Sequence, residues 1–197
     1  MLFLQLCEVF KPKVNKIVVC SCGGVNVEKL TEMGIRHYQI PDISSKKDIF
    51  KICRTVKQIV EKEQITVIHS HHRMAAFYTE ILFGSSIIKI ANAHNTFFDK
   101  KLLTKFVYKH TKVIAVGEMV KKNLVDYFKI PEKQVSVIHN AVKPFDGNYL
   151  EDKYIRKLHD DGNFVVGNIG RLSEQKGMEY FIESIPKILK NILEQDL

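Results

Sequence analysis

The chain has 197 residues, 45% hydrophobic, 26% charged and 10% aromatic, a balance that excludes a disordered or fibrous polymer. Thirty Lys and Arg against 22 Asp and Glu leave a net charge of +8, which favours an anionic partner: a nucleotide, a nucleic acid or an acidic membrane surface. The length fits one large domain, or one domain and part of another.

Four cysteines (Cys7, Cys20, Cys22, Cys53) form no CxxC pair and no metal-ligand spacing, as in a reduced, cytoplasmic chain. No run reaches the roughly 18 apolar residues of a membrane span. Met1–Phe10 is apolar but lacks the basic start and small-residue cleavage site of a signal peptide.

In chain order, short β-branched runs alternate with longer helical periods. Residues 1–12 read as the end of a helix. Lys16–Ser21 reads as a strand closed by Gly23-Gly24, and Val25–Met33 as a helix that Gly34 ends. A strand follows over Arg36–Ile40, stopped by Pro41. Lys46–Glu63 has a helical stripe of Ile49, Ile52, Cys53, Val56, Ile59 and Val60. Thr66–His69 is a strand, Arg73–Phe83 a helix and Ile87–Ala93 a strand. Lys101–His110 is helical, Lys112–Val116 a strand, Glu118–Phe128 a helix and Val135–His139 a strand, with Pro131 in a short turn of helix before it. Residues 140–162 lose periodicity, and Phe164–Ile169 then reads as a strand and Met178–Leu193 as a helix containing Pro186.

This alternation predicts parallel βαβ units in a doubly wound sheet, an α/β fold. A domain is expected over residues 1–145, a linker over 146–162 and the start of a second domain over 163–197. One strand and one helix cannot bury their own apolar faces.

The sharpest chemical signal is Gly167-Asn-Ile-Gly-Arg-Leu-Ser-Glu-Gln-Lys-Gly177. It runs from a strand end, through Gly170, Arg171 and Lys176, into a helix. Ligands of parallel sheets bind at the carboxyl ends of strands, and two cations at that mouth suit a diphosphate. The segment lacks the GxxxxGK[ST] of a P-loop.

It resembles the start of the C-terminal domain of GT-B glycosyltransferases of family 4, in which GRL…KG follows that domain's first strand. The resemblance continues upstream, in the family's order and spacing, through Val67-Ile-His-Ser-His-His72, Ala93-His-Asn-Thr96, Val113-Ile-Ala-Val116 and Val137-Ile-His-Asn-Ala-Val142. Together these cover most of residues 16–185.

The resemblance implies a GT-B fold of two Rossmann-like domains with the site in the cleft between them. It implies transfer of a sugar, with retention, from a nucleotide sugar to a glycan or lipid-linked acceptor in polysaccharide or glycolipid biosynthesis, with no cofactor or bound metal. His94 matches the histidine that faces the reacting sugar, and is the candidate catalytic residue. Arg171 and Lys176, with Gly170 beside them, match the positions that hold the donor diphosphate. Asn140 leads into the interdomain segment, where Asn140-Ala141 replaces the usual Asn-Gly, and His69, His71 and His72 read as strand-end histidines lining the cleft, His71 among the candidate substrate-binding residues.

Family members open with a strand and glycine-rich loop before the helix read at residues 1–12, and their paired glutamates lie beyond residue 197. The expectation is a chain truncated at both ends that has no turnover by itself. A non-catalytic Rossmann-like module that binds a nucleotide or anion is the alternative.

His69 and His71 share a strand face, but no partner stands at metal-ligand spacing. Residues 100–133 hold nine lysines against three acids. They form a solvated helix face, or a peripheral contact with anionic lipid at the inner face of the membrane. No nucleic-acid partner is expected, because neither a helix-turn-helix nor an RNP-type aromatic motif is present.

Overall fold

A computed structural model describes residues 2–141, 144 and 151–193. The chain divides into two compact units, Met1–Lys143 and Pro144–Leu197.

The first unit alternates strands and helices: α1 (Leu2–Phe10), β1 (Val18–Ser21), α2 (Asn26–Glu32), β2 (Arg36–Gln39), α3 (Ile49–Glu63), β3 (Val67–Ser70), α4 (Arg73–Phe83), β4 (Ile88–Ala93), α5 (Lys101–Val107), β5 (Thr111–Ala115), α6 (Glu118–Lys122) and β6 (Val135–Val137). Every strand pair is parallel, in a two-stranded sheet β1-β2 and a four-stranded sheet β3-β4-β5-β6. The α/β class and the parallel pairing are those expected from sequence.

Local chemistry explains the element ends. Gly34, at φ +66°, closes α2: its N–H donates to the Thr31 carbonyl, and the Ile35 N–H donates to the Leu30 carbonyl at 2.8 Å. Ile35 and Leu30 are both buried, the apolar contact that accompanies such a cap. His72 caps α4, its Nδ1 accepting from the Met74 N–H at 3.1 Å.

The helix expected over Glu118–Phe128 changes pitch after Lys122. Residues Asn123–Tyr127 form a π-turn, in which the Phe128 N–H donates to the Asn123 carbonyl.

The main core lies on the larger sheet, where Ala91, Ala93, Val113 and Ala115 meet Val107, Leu124 and Phe128 from the helices. A smaller core joins α1 to β1 and α2 through Leu4, Cys7, Leu30 and Ile35. A buried ion pair ties the layers together. Lys89 on β4 donates to Glu80 on α4, and the other Glu80 oxygen lies 2.6 Å from His110 Nδ1. At the β1-β2 side, buried Glu63 receives Lys16, Arg36 and the Tyr38 hydroxyl.

The second unit holds α7 (Lys153–Asp160) and α8 (Met178–Leu193), with a 3-10 turn at Glu174–Lys176. Helix α7 falls in the stretch read as aperiodic linker; the Asp152 side chain starts it by accepting from the Tyr154 and Ile155 N–H groups. Part of the boundary reading, including Gly147, lies outside the described residues.

The strand expected over Phe164–Ile169 is not formed. A strand needs a ladder partner, and the described residues of this unit contain no other strand. Phe164 is 84% exposed and Ile169 wholly so.

Candidate functional site

Because β3 to β6 are parallel, the residues just past their C-terminal ends share one edge of the sheet. His71 follows β3 directly, His94 follows β4, and Asn140 stands three residues beyond β6. His71 and His94 are part-buried and Asn140 is exposed.

The register aligns Ser70 with Ala91, so His71 lies beside Asn92. The imidazoles form a stack. The His69 and His71 ring centroids are 4.4 Å apart, and those of His71 and His94 are 6.4 Å apart with planes within 21°. The edge of Phe3 on α1 packs on His71 at 6.2 Å. His69 Nε2 lies 2.7 Å from Oδ1 of buried Asn92, an oxygen that accepts its hydrogen bond.

Packing sets the charge of the stack. Burial, then the neighbouring His69 and His94, lowers the His71 pKa to about 4. Burial, then His69, also pulls His94 below the ordinary histidine value. At neutral pH both rings are therefore uncharged, each offering one N–H donor and one bare nitrogen. A neutral imidazole can hold a sugar hydroxyl in either sense without adding charge.

His72 is not part of this stack, because it caps α4. Sequence reasoning also missed Asn92. Its available signal is a carboxamide between the small apolar Ala91 and Ala93 near the end of β4, which needs a partner when buried.

The loop leaving His94 is held firmly. The Asn123 carboxamide accepts from the Phe97 N–H at 3.1 Å and donates to the Phe97 carbonyl at 2.9 Å. Arg73 pairs with Asp99 at 3.0 Å, and its guanidinium lies 4.6 Å from the Phe97 ring centroid.

In the second unit Gly170, Arg171 and Lys176 sit in one exposed loop leading to α8. A Cβ on Gly170 would meet the Met178 methyl at 2.8 Å, a contact that the flexible Met178 side chain relieves by turning aside. Gly177, at φ +60°, ends the 3-10 turn that carries Lys176. A hollow of about 290 Å3 beside this loop is lined by Leu172, Ser173, Glu174, Met178 and Glu179.

A larger open concavity of about 530 Å3, lined in part by Lys57, Ile65, Leu82 and Ser86, lies near the N-terminal ends of β3 and β4. It is away from the histidines. Among the described residues no group of three His, Cys, Asp or Glu side chains is placed to hold a metal ion.

Parallel strands that present polar side chains at their C-terminal edge define an α/β protein whose candidate site falls in the usual place for such sheets. The chain belongs to glycosyltransferase family 4, whose model matches residues 4–144.

It is 28% identical over 203 residues to a component of human phosphatidylinositol N-acetylglucosaminyltransferase, and the match covers 93% of this chain and 40% of that protein. It is 28% identical over 155 residues to an uncharacterized glycosyltransferase of Methanocaldococcus jannaschii, covering 67% and 39%. It is 31% identical over 87 residues to a Staphylococcus aureus capsular polysaccharide biosynthesis glycosyltransferase, covering 40% and 22%.

Among solved structures, a glycosyltransferase from Rickettsia africae superposes with a TM-score of 0.71 at 20% identity, over 95% of this chain and 53% of that one, which shows the shared fold. The chain thus spans about two-fifths of the length of the first two relatives.

Proposed function

We propose that this chain serves the transfer of a sugar, with retention, from a nucleotide-sugar donor to a glycan or lipid-linked acceptor in polysaccharide or glycolipid biosynthesis. The observation that carries the reading is His94 just past the end of β4, stacked on His71, in a chain of family 4. The names of the human and staphylococcal relatives place those proteins in glycolipid and capsule synthesis, which supports the two acceptor classes.

In this reading His94 holds a hydroxyl of the reacting sugar, and His71, stacked on it, fixes the plane of the His94 ring. Asn140 contributes its carboxamide at the same edge. Arg171 and Lys176 bind the diphosphate and stabilise the negative charge that grows on it as the sugar leaves. Fixed cations perform that task without a metal ion. Gly170 stands next to Arg171 in the same exposed loop.

We place the protein in the cytoplasm, at the inner face of the membrane, a reading supported by its four free cysteines. No described helix is long and apolar enough to cross a membrane.

Titration calorimetry with uridine, guanosine and adenosine diphosphates tests the donor assignment. One of the three binds, and R171A or K176A weakens it about tenfold or more, the loss of a charge-assisted contact. Unchanged binding in both variants removes the assigned donor site.

A further inference from the structure

The loop between His94 and α5 combines two properties that rarely occur together: a strongly fixed backbone and outward-facing aromatic side chains. Phe98 is 71% exposed and Leu102, four residues later at the start of α5, is 83% exposed. Phe97 and Phe106 are also exposed.

The backbone beneath them is pinned. Asn123 clamps Phe97 through both its N–H and its carbonyl. The Tyr127 hydroxyl donates to the Phe98 carbonyl at 2.6 Å. Asn123 and Tyr127 are the two ends of the π-turn, so the change of helical pitch is what supplies both braces.

Exposed single apolar residues are ordinary; a braced cluster of them is a display. Cations flank it. Lys100, Lys101, Lys105 and Lys109 are all exposed. Lys101 and Lys105 share one side of the outer face of α5, beside Leu102 and Phe106, while Thr104 and Val107 are buried on the inner face. The Tyr127 ring joins the two parts, 5.3 Å from the Phe98 ring and 5.0 Å from Lys101 Nζ. Apolar side chains beside lysines match the interface of an anionic bilayer, where rings enter the acyl boundary and ammonium groups meet lipid phosphates.

The rest of the basic stretch is arranged differently. Lys121 is paired with Glu132 at 2.8 Å, so the contact is narrower than the run of lysines from 100 to 133.

We infer that Phe98, Leu102 and Phe106, with Lys101 and Lys105, form a docking patch for an anionic lipid surface. The patch lies on the segment that follows His94, so docking brings that strand end toward the membrane. The assignment does not depend on donor chemistry, and it is tested without any donor.

The chain contains no tryptophan, so F98W supplies a single indole reporter at the patch. The probes are vesicles of phosphatidylcholine alone, and of phosphatidylcholine with about one-third phosphatidylglycerol. The F98W fluorescence shifts to the blue with the anionic vesicles only, and added salt reverses the shift. In co-sedimentation F98A lowers binding about tenfold. The K101E/K105E variant lowers it about thirtyfold or more, at about fivefold for each lysine lost and more for reversal. All these positions are exposed, and circular dichroism checks that the variants fold.

Binding that F98A and K101E/K105E leave intact overturns the inference, as does binding indifferent to phosphatidylglycerol. A self-association of the chain that F98A abolishes does so too, since it would make the patch an interface between copies. Failure of the parent chain to bind the anionic vesicles also overturns it, and leaves the transferase reading standing.

Discussion

The imidazole of His71 makes the stability of the fold depend on pH in a defined window. In the folded chain its pKa is lowered to about 4, first by burial and then by His69 and His94. Unfolding returns it to water, where a histidine titrates near about 6.5. Between these values the unfolded state binds more protons, so stability rises with pH. The contribution is complete above the unfolded value and is lost as the pH falls through the window toward the folded one.

Taking the protein from about pH 7 to about pH 5 removes about 2 kcal/mol through this one group. H71Q keeps a planar polar side chain but does not titrate. Urea unfolding at the two pH values should therefore show the parent chain losing about 2 kcal/mol more than the variant. Equal losses would refute the reasoning, as would an NMR titration in which the His71 ring protonates like a free imidazole. Either would mean that the ring sits in water and not between Phe3, His69 and His94.

Three further outcomes follow from the same geometry. K89M leaves buried Glu80 with His110 as its remaining side-chain partner, and should cost about 3 kcal/mol in chemical denaturation; the double variant K89M/E80Q should recover part of it. The Glu63 carboxyl is held down to about 2, first by the Tyr38 hydroxyl and then by Lys16. Its contribution is present above the ordinary carboxyl range and lost as the pH falls toward about 2, so E63Q should flatten the acid limb of a stability–pH curve between those limits. N123A removes both bonds to the Phe97 backbone and should lower stability by about 2 kcal/mol, with faster hydrogen exchange at Phe97 as the local sign of a freed loop.

The elements that were legible in the sequence are those whose signal is local. Helix α4 has the bounds expected, Arg73–Phe83, because a strand-end polar cluster precedes it and Gly84 ends it. The strands from β3 to β6 are apolar runs bounded by turns, and their parallel pairing places His71 and His94 on one edge as anticipated.

Other features depend on distant partners. The π-turn at Asn123–Tyr127 packs against a loop 26 residues earlier, which no periodicity within the helix reports. Asn92 gains its place by bonding His69 on the next strand. Residues Phe164–Ile169 have strand composition, but composition does not make a ladder. Helix α7 has only Tyr154, Ile155 and Leu158 as an apolar stripe among charges, too short to stand out, although Asp152 marks its start.

Charge in this chain divides by task. At the histidine edge of the first unit, His71 and His94 are neutral, and the nearby cation Arg73 is occupied by Asp99, the Thr104 hydroxyl and the Phe97 ring. Neutral rings suit hydroxyl groups; a diphosphate requires fixed positive charge. In the proposed reading that charge comes from Arg171 and Lys176, which are exposed and have no carboxylate partner among the described ion pairs. A nucleoside diphosphate that still bound tightly to R171A/K176A would shift the donor to the histidine edge. Such binding would refute the neutrality of His71 and His94, since imidazoles without charge give an anion two hydrogen bonds at most and no Coulombic attraction.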